Sequence, residues 1–203
     1  TNAKEILTNL FKAVDVKNFG ATFAEAGANI SITGAVQLGQ GFNKYEECSP
    51  HEQNILSPFR DATKAAEEKG EAKNSTLGTK VVTDEAHYFY PFVINPASYD
   101  DYVALGVTKG YTEEDYKKFK ETALVSATAF ATNAKEGCEN EFALFVETDS
   151  DLYLPNLTSY LTFEKGEEKD VITISAANIL DEVKDQIKSI EVYYNPHTTE
   201  IVS

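Results

Sequence analysis

The 203-residue chain contains no methionine and no tryptophan, and it has only two cysteines and three histidines. Because it begins at Thr1 and lacks methionine throughout, we expect a processed or trimmed form. No apolar run reaches the roughly 18 residues of a membrane-spanning helix, so no membrane span is expected. Cys48 and Cys138 lie outside any Cys-x-x-Cys motif and fit either one disulfide or two thiols. Without clustered histidines, no metal site is predicted.

Positive charge is also scarce, since 18 basic residues face 33 acidic ones and the net charge is −15. Nucleic-acid phosphates require a basic surface, so this balance predicts a protein that does not bind nucleic acid. It also disfavours docking on anionic lipid, and it favours solubility. The 42% hydrophobic content is that of a globular chain with a core.

Helical patterns are concentrated in the first two thirds of the chain. Residues 3–14 and 17–26 carry apolar side chains one turn apart, which predicts two short helices. The capping box of "SPHE" predicts a third helix over 49–70. Ser98 and Thr112, each followed three residues later by aspartate, predict the starts of two further helices.

Strand patterns dominate the rest. Residues 79–94 are rich in β-branched and aromatic side chains and predict one long strand. From residue 122 onward, turn signals separate five strand candidates, which predict an antiparallel meander over 122–133, 141–149, 158–164, 170–177 and 187–194. Helices followed by consecutive strands indicate an α+β fold with helices packed on one face of an antiparallel sheet.

Three stretches carry a resemblance to a known family: "EILTNLFKAVDVKNFGATFAEAGANISITG" at 5–34, "GQGFNKYEE" at 39–47 and "KSIEVYYNP" at 188–196. They resemble the two N-terminal helices, the following Gly-led helix and the final strand of the NTF2-like superfamily, in particular of SnoaL-like proteins. The resemblance implies a cone formed by N-terminal helices on a curved antiparallel sheet.

The same resemblance implies a single NTF2-like domain over 1–203, with additional helical and loop material around 48–75 and 95–121. In the final strand, Ile190, Val192 and Tyr194 would share one face. The strand would end at Asn195-Pro196, because proline donates no backbone hydrogen bond.

Members of this superfamily include isomerases, dehydratases, cyclases and non-catalytic binding modules, so the resemblance leaves several functions open. We expect a pocket between helices and sheet that binds a small hydrophobic molecule, with no cofactor. One alternative is a cofactor-independent lyase, isomerase or cyclase. Another is an assembly module that dimerises through the sheet, and a homodimer is expected on the same basis.

The candidate catalytic residues for the enzymatic alternative lie in "TDEAHYFYPF" at 83–92. Asp84 or His87 would act as general base, and the hydroxyls of Tyr88 and Tyr90 would donate hydrogen bonds to a developing enolate. Strict alternation places Asp84, Tyr88 and Tyr90 on one face of a strand and His87 on the other. The competing interpretation is an ordinary strand with packed aromatic residues and an acidic, solvated edge.

Overall fold

A computed structural model of the chain describes residues 3–25, 28–56, 77–149 and 152–203. The chain divides into two compact units, Thr1–Gly41 with Phe89–Ser203 (unit 1) and Phe42–Tyr88 (unit 2). Both helices and small, mostly antiparallel sheets are present, so the α+β class is confirmed. That the chain is one domain stays a prediction.

The described part of unit 1 contains six short α helices: α1 Ala3–Leu10, α2 Val14–Phe19, α3 Asp100–Ala104, α4 Glu113–Ala123, α5 Ser126–Ala129 and α6 Ala177–Glu182. Three 3-10 helices in the same described part cover Pro96–Tyr99, Leu157–Tyr160 and Lys184–Gln186. Within the described residues, none of the helices has the length and apolarity that crossing a membrane requires.

The described residues also form thirteen strands: β1 Gly20–Glu25, β2 Ala28–Thr33, β3 Val36–Leu38, β4 Phe42–Asn43, β5 Pro50–Leu56, β6 Leu77–Thr83, β7 Tyr88–Phe89, β8 Phe92–Ile94, β9 Phe142–Thr148, β10 Leu161–Glu164, β11 Asp170–Ile174, β12 Ile187–Tyr194 and β13 Thr199–Val202. The predicted long strand over 79–94 is therefore divided among β6, β7 and β8.

The strand pairing of unit 1 contradicts the predicted meander. β9 pairs with β12 rather than with β10, and β10 pairs antiparallel with β11. β13, which we did not predict, runs parallel to β11. The chain reverses beyond Pro196, where the carbonyl of Asn195 accepts from the backbone N–H of Thr199 at 2.9 Å. The remaining pairs of unit 1 are β1 with β2 and β3 with β8, so one curved sheet is not confirmed.

Unit 2 is dominated by the antiparallel pair β5 and β6, in register from Pro50 opposite Thr83 to Leu56 opposite Leu77. The helix predicted over 49–70 is therefore wrong at 50–56, because strand pairing outweighs the local capping box. The remainder of that predicted helix lies outside the described residues. The short strands β4 and β7 also pair.

The predicted helix over 17–26 is wrong at 20–25, where the chain forms β1, and residue 26 lies outside the described residues. Gly20 adopts φ +78°, a conformation that residues with a side chain rarely take. A Cβ at Gly20 would overlap the carbonyl oxygen of Ile32, and one at Gly34 would overlap the backbone of Phe19. Two glycines thus allow the end of α2 to lie directly against the end of β2.

The predicted strand over 122–133 is also wrong, because α4 continues to Ala123 and α5 follows it. Asn140 stabilises this helical path from outside it. Its side-chain oxygen accepts from the N–H of Ala127 at 2.9 Å, and its amide donates to the carbonyl of Ala123 at 2.8 Å. Hydrogen bonds from a residue outside the segment thus support its helical conformation.

Among the described residues of unit 1, buried side chains form two clusters that belong to its core. The first contains Phe11, Val16, Ile32, Ala35, Tyr99 and Val107. The second contains Leu161, Ile174, Ala176 and Leu180. The first cluster supports the helices and loops that form the candidate site.

Candidate functional site

Tyr99 is the fully buried anchor of the first cluster. Its hydroxyl accepts from the backbone N–H of Ala35 at 3.1 Å and donates to the carbonyl of Lys17 at 2.9 Å. Its ring meets Phe11 edge-on, with centroids 5.0 Å apart. Burial is the main reason that the pKa of Tyr99 is raised. The phenol therefore stays protonated and fixes the end of α2 against the loop before β3.

Asp115 links α2 to the first turn of α4. Its carboxylate accepts from Lys17 Nζ at 2.5 Å, and from the backbone N–H and hydroxyl of Thr112 at 2.8 and 2.6 Å. The hydroxyl of Thr112 in turn accepts from the N–H of Asp115, so the predicted capping box is confirmed. At the other predicted helix start the cap is Asn95, not Ser98, and it begins the Pro96–Tyr99 helix.

The charge state of this network follows from its contacts. Burial of the Asp115 carboxyl acts to raise its pKa, but hydrogen bonds from Lys17 and Thr112 and the charge of Lys17 outweigh burial, so the pKa is lowered. Tyr111 donates to Asn18 Oδ1 at 2.8 Å, and burial followed by the charge of Asp115 raises the pKa of Tyr111 to about 12. The network is thus a fixed ion pair beside neutral phenols.

A groove of about 440 Å³ opens above this network. We call it the lysine groove, because four of its eleven lining residues are lysines: Thr8, Phe11, Lys12, Lys17, Val107, Thr108, Lys109, Thr112, Glu114, Asp115 and Lys118. Two of the lining residues are acidic, so the groove carries a formal charge of +2 (four lysines minus two carboxylates) in a chain of −15.

The four lysines differ in how far their charge is neutralised. Lys17 is paired with Asp115, and Lys118 lies 2.7 Å from Glu114 Oε1. Lys12 donates to Asn9 Oδ1 at 2.9 Å, a neutral acceptor. Among the described residues, Lys109 makes no hydrogen bond or ion pair, and it is exposed. Two cations, Lys12 and Lys109, therefore face the groove without a carboxylate partner in the described part of the chain.

None of the four predicted catalytic residues lines this groove. They lie between the end of β6 and the residue that follows β7. Asp84 is 80% exposed and pairs with His51 Nε2 at 2.8 Å. The His87 side chain is only 13% exposed, and its Nε2 lies 3.1 Å from Glu85 Oε1. Tyr88 and Tyr90 are both more than half exposed. An exposed Asp84 lacks the apolar enclosure that a pocket base needs. That these four residues form a functional site stays a prediction. Cys48 and Cys138 are free thiols.

Sequence comparison identifies the family. The family model described as CRISPR-associated protein Cas7 matches residues 1–193. The chain therefore belongs to the Cas7 family of CRISPR-associated proteins. No curated protein shows significant sequence similarity to it.

The family match overturns several predictions made from the sequence. The resemblance to NTF2-like and SnoaL-like proteins was wrong, because it depended on short structural patterns that many α+β chains share. The family match also contradicts the predicted functions. These were a pocket for a small hydrophobic ligand and its two alternatives, a lyase, isomerase or cyclase and a sheet-mediated assembly module.

The predicted partners were also wrong. Cas7 proteins form complexes with CRISPR RNA (crRNA) and other Cas proteins, which contradicts both the small hydrophobic ligand and the exclusion of nucleic acid. The exclusion failed because net charge sums over the whole chain, whereas phosphate contacts are local.

Sequence reasoning missed the lysine groove because its cations come from distant positions, with Lys12 after α1 and Lys109 before α4. The available signal was the Thr112–Asp115 capping box, which fixes one wall. Nothing in the sequence placed the residues after α1 beside that wall.

Proposed function

We propose that this chain is a crRNA-binding subunit of a CRISPR effector complex. The match of the Cas7 family model to residues 1–193 carries this proposal. The family works in complexes with crRNA and other Cas proteins, and almost the full length of the chain takes part in the match.

The kind of basic residue in this chain supports an RNA-binding role, although the net charge is negative. Seventeen of the 18 basic residues are lysines, and Arg60 is the single arginine. Lysine is a compact point charge suited to phosphate, whereas bidentate base recognition favours arginine. The composition therefore favours contacts to the RNA backbone, which hold an RNA of any sequence.

The test is binding to a labelled single-stranded RNA that carries a CRISPR repeat and spacer, followed by fluorescence anisotropy over a series of KCl concentrations. We expect saturable binding that weakens as KCl increases, because released counterions drive phosphate contacts. Duplex DNA of the same sequence is the control, and weaker binding to it would show a preference for the single strand that phosphate charge alone does not provide. Absence of RNA binding even at low salt would contradict the proposal.

A further inference from the structure

We infer that the lysine groove is a contact site for the RNA sugar–phosphate backbone, with Lys12, Lys109 and the hydroxyl of Thr108 as its donors. This inference rests on the proposed function and adds the residues and the chemistry of the contact.

Two of the four groove lysines lack a carboxylate partner among the described residues. Lys17 and Lys118 already have carboxylate partners, whereas Lys12 has a neutral partner. Lys109 has no recorded partner within the described ranges, and both Lys12 and Lys109 are exposed. Exposed ammonium groups of this kind exchange water and counterions for phosphate, and each exchange releases a counterion.

Thr108 adds a neutral donor to the lining of the same groove. Its side-chain oxygen accepts from the backbone N–H of Gly110 at 3.2 Å, which leaves the hydroxyl proton free to donate. No other hydrogen bond of Thr108 is recorded among the described residues. A phosphate oxygen, which only accepts, fits this donor together with the two ammonium groups.

The floor of the groove is rigid, and this favours a defined binding geometry. Phe11 and Val107 are both 5% exposed and belong to the cluster around Tyr99. The Lys17–Asp115 pair and the Thr112 capping box fix α4 against α2. A site whose walls are held by buried contacts loses little conformational entropy on binding.

The occupant is a phosphodiester chain rather than a nucleobase or an acidic peptide. The aromatic residue of the groove, Phe11, is buried under Tyr99 and Tyr102 and offers no exposed ring for base stacking. The Cas7 family binds crRNA, which supplies closely spaced phosphates at high local density. The groove volume of about 440 Å³ is in the range of natural ligand sites, roughly 300–1,000 Å³.

The experiment compares two double variants that change the net charge equally. Lys12→Ala with Lys109→Ala removes the unpaired groove cations. Lys117→Ala with Lys188→Ala removes two exposed lysines that do not line the groove. Binding of both to the labelled repeat–spacer RNA is measured by anisotropy between low and high KCl, with circular dichroism to confirm that each variant is folded.

We expect the groove variant to lose about 25-fold in affinity at about 0.1 M salt, since affinity scales with salt to a power of about −0.7 for each single-strand contact. The slope of log affinity against log salt should fall by about 1.4, and it should be nearly unchanged for the control. Equal losses in the two variants would overturn the groove assignment alone. Failure of the unaltered protein to bind this RNA would overturn the proposed function and the assignment with it.

Discussion

Two lysines on α4, two residues apart, have opposite surroundings. Lys118 lines the lysine groove, is 58% exposed and pairs with Glu114, which is 76% exposed. Lys120 is 18% exposed, lies 2.5 Å from Glu191 Oε1 on β12, and is within about 6 Å of the ring centroids of Tyr116, Phe145 and Tyr193. Lys120 therefore stabilises the contact between α4 and β12 through its ion pair and its ring contacts. Lys118 remains accessible to solvent on the surface of the groove.

Hydrogen bonds within the two ion pairs explain why the pKa values of both lysines are raised. The hydrogen bond that Lys120 donates to Glu191 is the largest cause that raises the pKa of Lys120, and the hydrogen bond that Lys118 donates to Glu114 does the same for Lys118. Glu191 also accepts from the Tyr193 hydroxyl, so its carboxylate is fully engaged. Glu114 has no such second partner among the described residues. Of the two ion pairs, Lys118–Glu114 is therefore the more exposed and the easier for a competing anion to separate.

The largest effect is expected for Asp115, which holds the first turn of α4 against α2 beside the lysine groove. Asp115→Ala removes the partner of Lys17 and the acceptor of the Thr112 N–H, and should lower the free energy of unfolding by about 3 kcal/mol. Urea unfolding followed by circular dichroism measures the change. Asp181→Ala removes an exposed carboxylate on α6 and should change stability by about 0.5 kcal/mol or less. Similar values for the two variants would show that Asp115 does not hold α4.

The stabilisation from Asp115 should depend on pH. Its folded-state pKa lies below the unfolded value of about 3.9, so its contribution is fully present above that pH and disappears as the pH falls through the folded value. We expect the difference in Tm between the unaltered protein and Asp115→Asn to be constant near neutrality and to shrink below about pH 4. A difference that grows on acidification would contradict the assigned direction of the pKa shift.

Substitution of Lys120 tests whether its ion pair with Glu191 stabilises the fold without contributing to RNA binding. Lys120→Met keeps most of the apolar stem but removes the charge from Glu191 and from the three aromatic rings. We expect a lower Tm and an unchanged salt dependence of RNA binding, because this lysine does not line the groove. A large loss of RNA affinity in a folded variant would place Lys120 in the interface and remove the distinction from Lys118.

The smallest and most specific effect concerns the two glutamates. Glu114→Gln frees Lys118 for phosphate and should increase RNA affinity by up to about fivefold at about 0.1 M salt, the value of one added contact. Glu191→Gln makes the same chemical change beside Lys120 and should leave the affinity nearly unchanged. Anisotropy titrations of the two variants, side by side, measure the difference. An equal gain in both would indicate a general charge effect rather than a site.

The sequence predicted those elements whose signals are local. The Thr112–Asp115 capping box, the helix beginning near residue 3, and the strands β9 and β12 were predicted from spacing alone and are present. Ile190, Val192 and Tyr194 also alternate along β12 as predicted, and all three are partly exposed on it.

The remaining elements depend on contacts between distant residues, which a local pattern does not contain. β5 is a strand because β6 pairs with it, and α5 is helical with Asn140 bound to its backbone. The groove has the same origin, since the first core cluster brings Lys12 and Lys109 to one surface. The net charge of −15 did not indicate this surface, because a charge summed over the whole chain does not show where the lysines lie.

The contact between Gly20 and Gly34 restricts how this chain can diverge during evolution. A larger residue at either position would separate α2 from β2, and a second substitution at the partner glycine would only increase the overlap. Neither position offers a neutral first step, so the usual route of one mutation compensated by another is closed here. The pair should therefore persist together in descendants of this sequence whose surface lysines and glutamates have been exchanged many times.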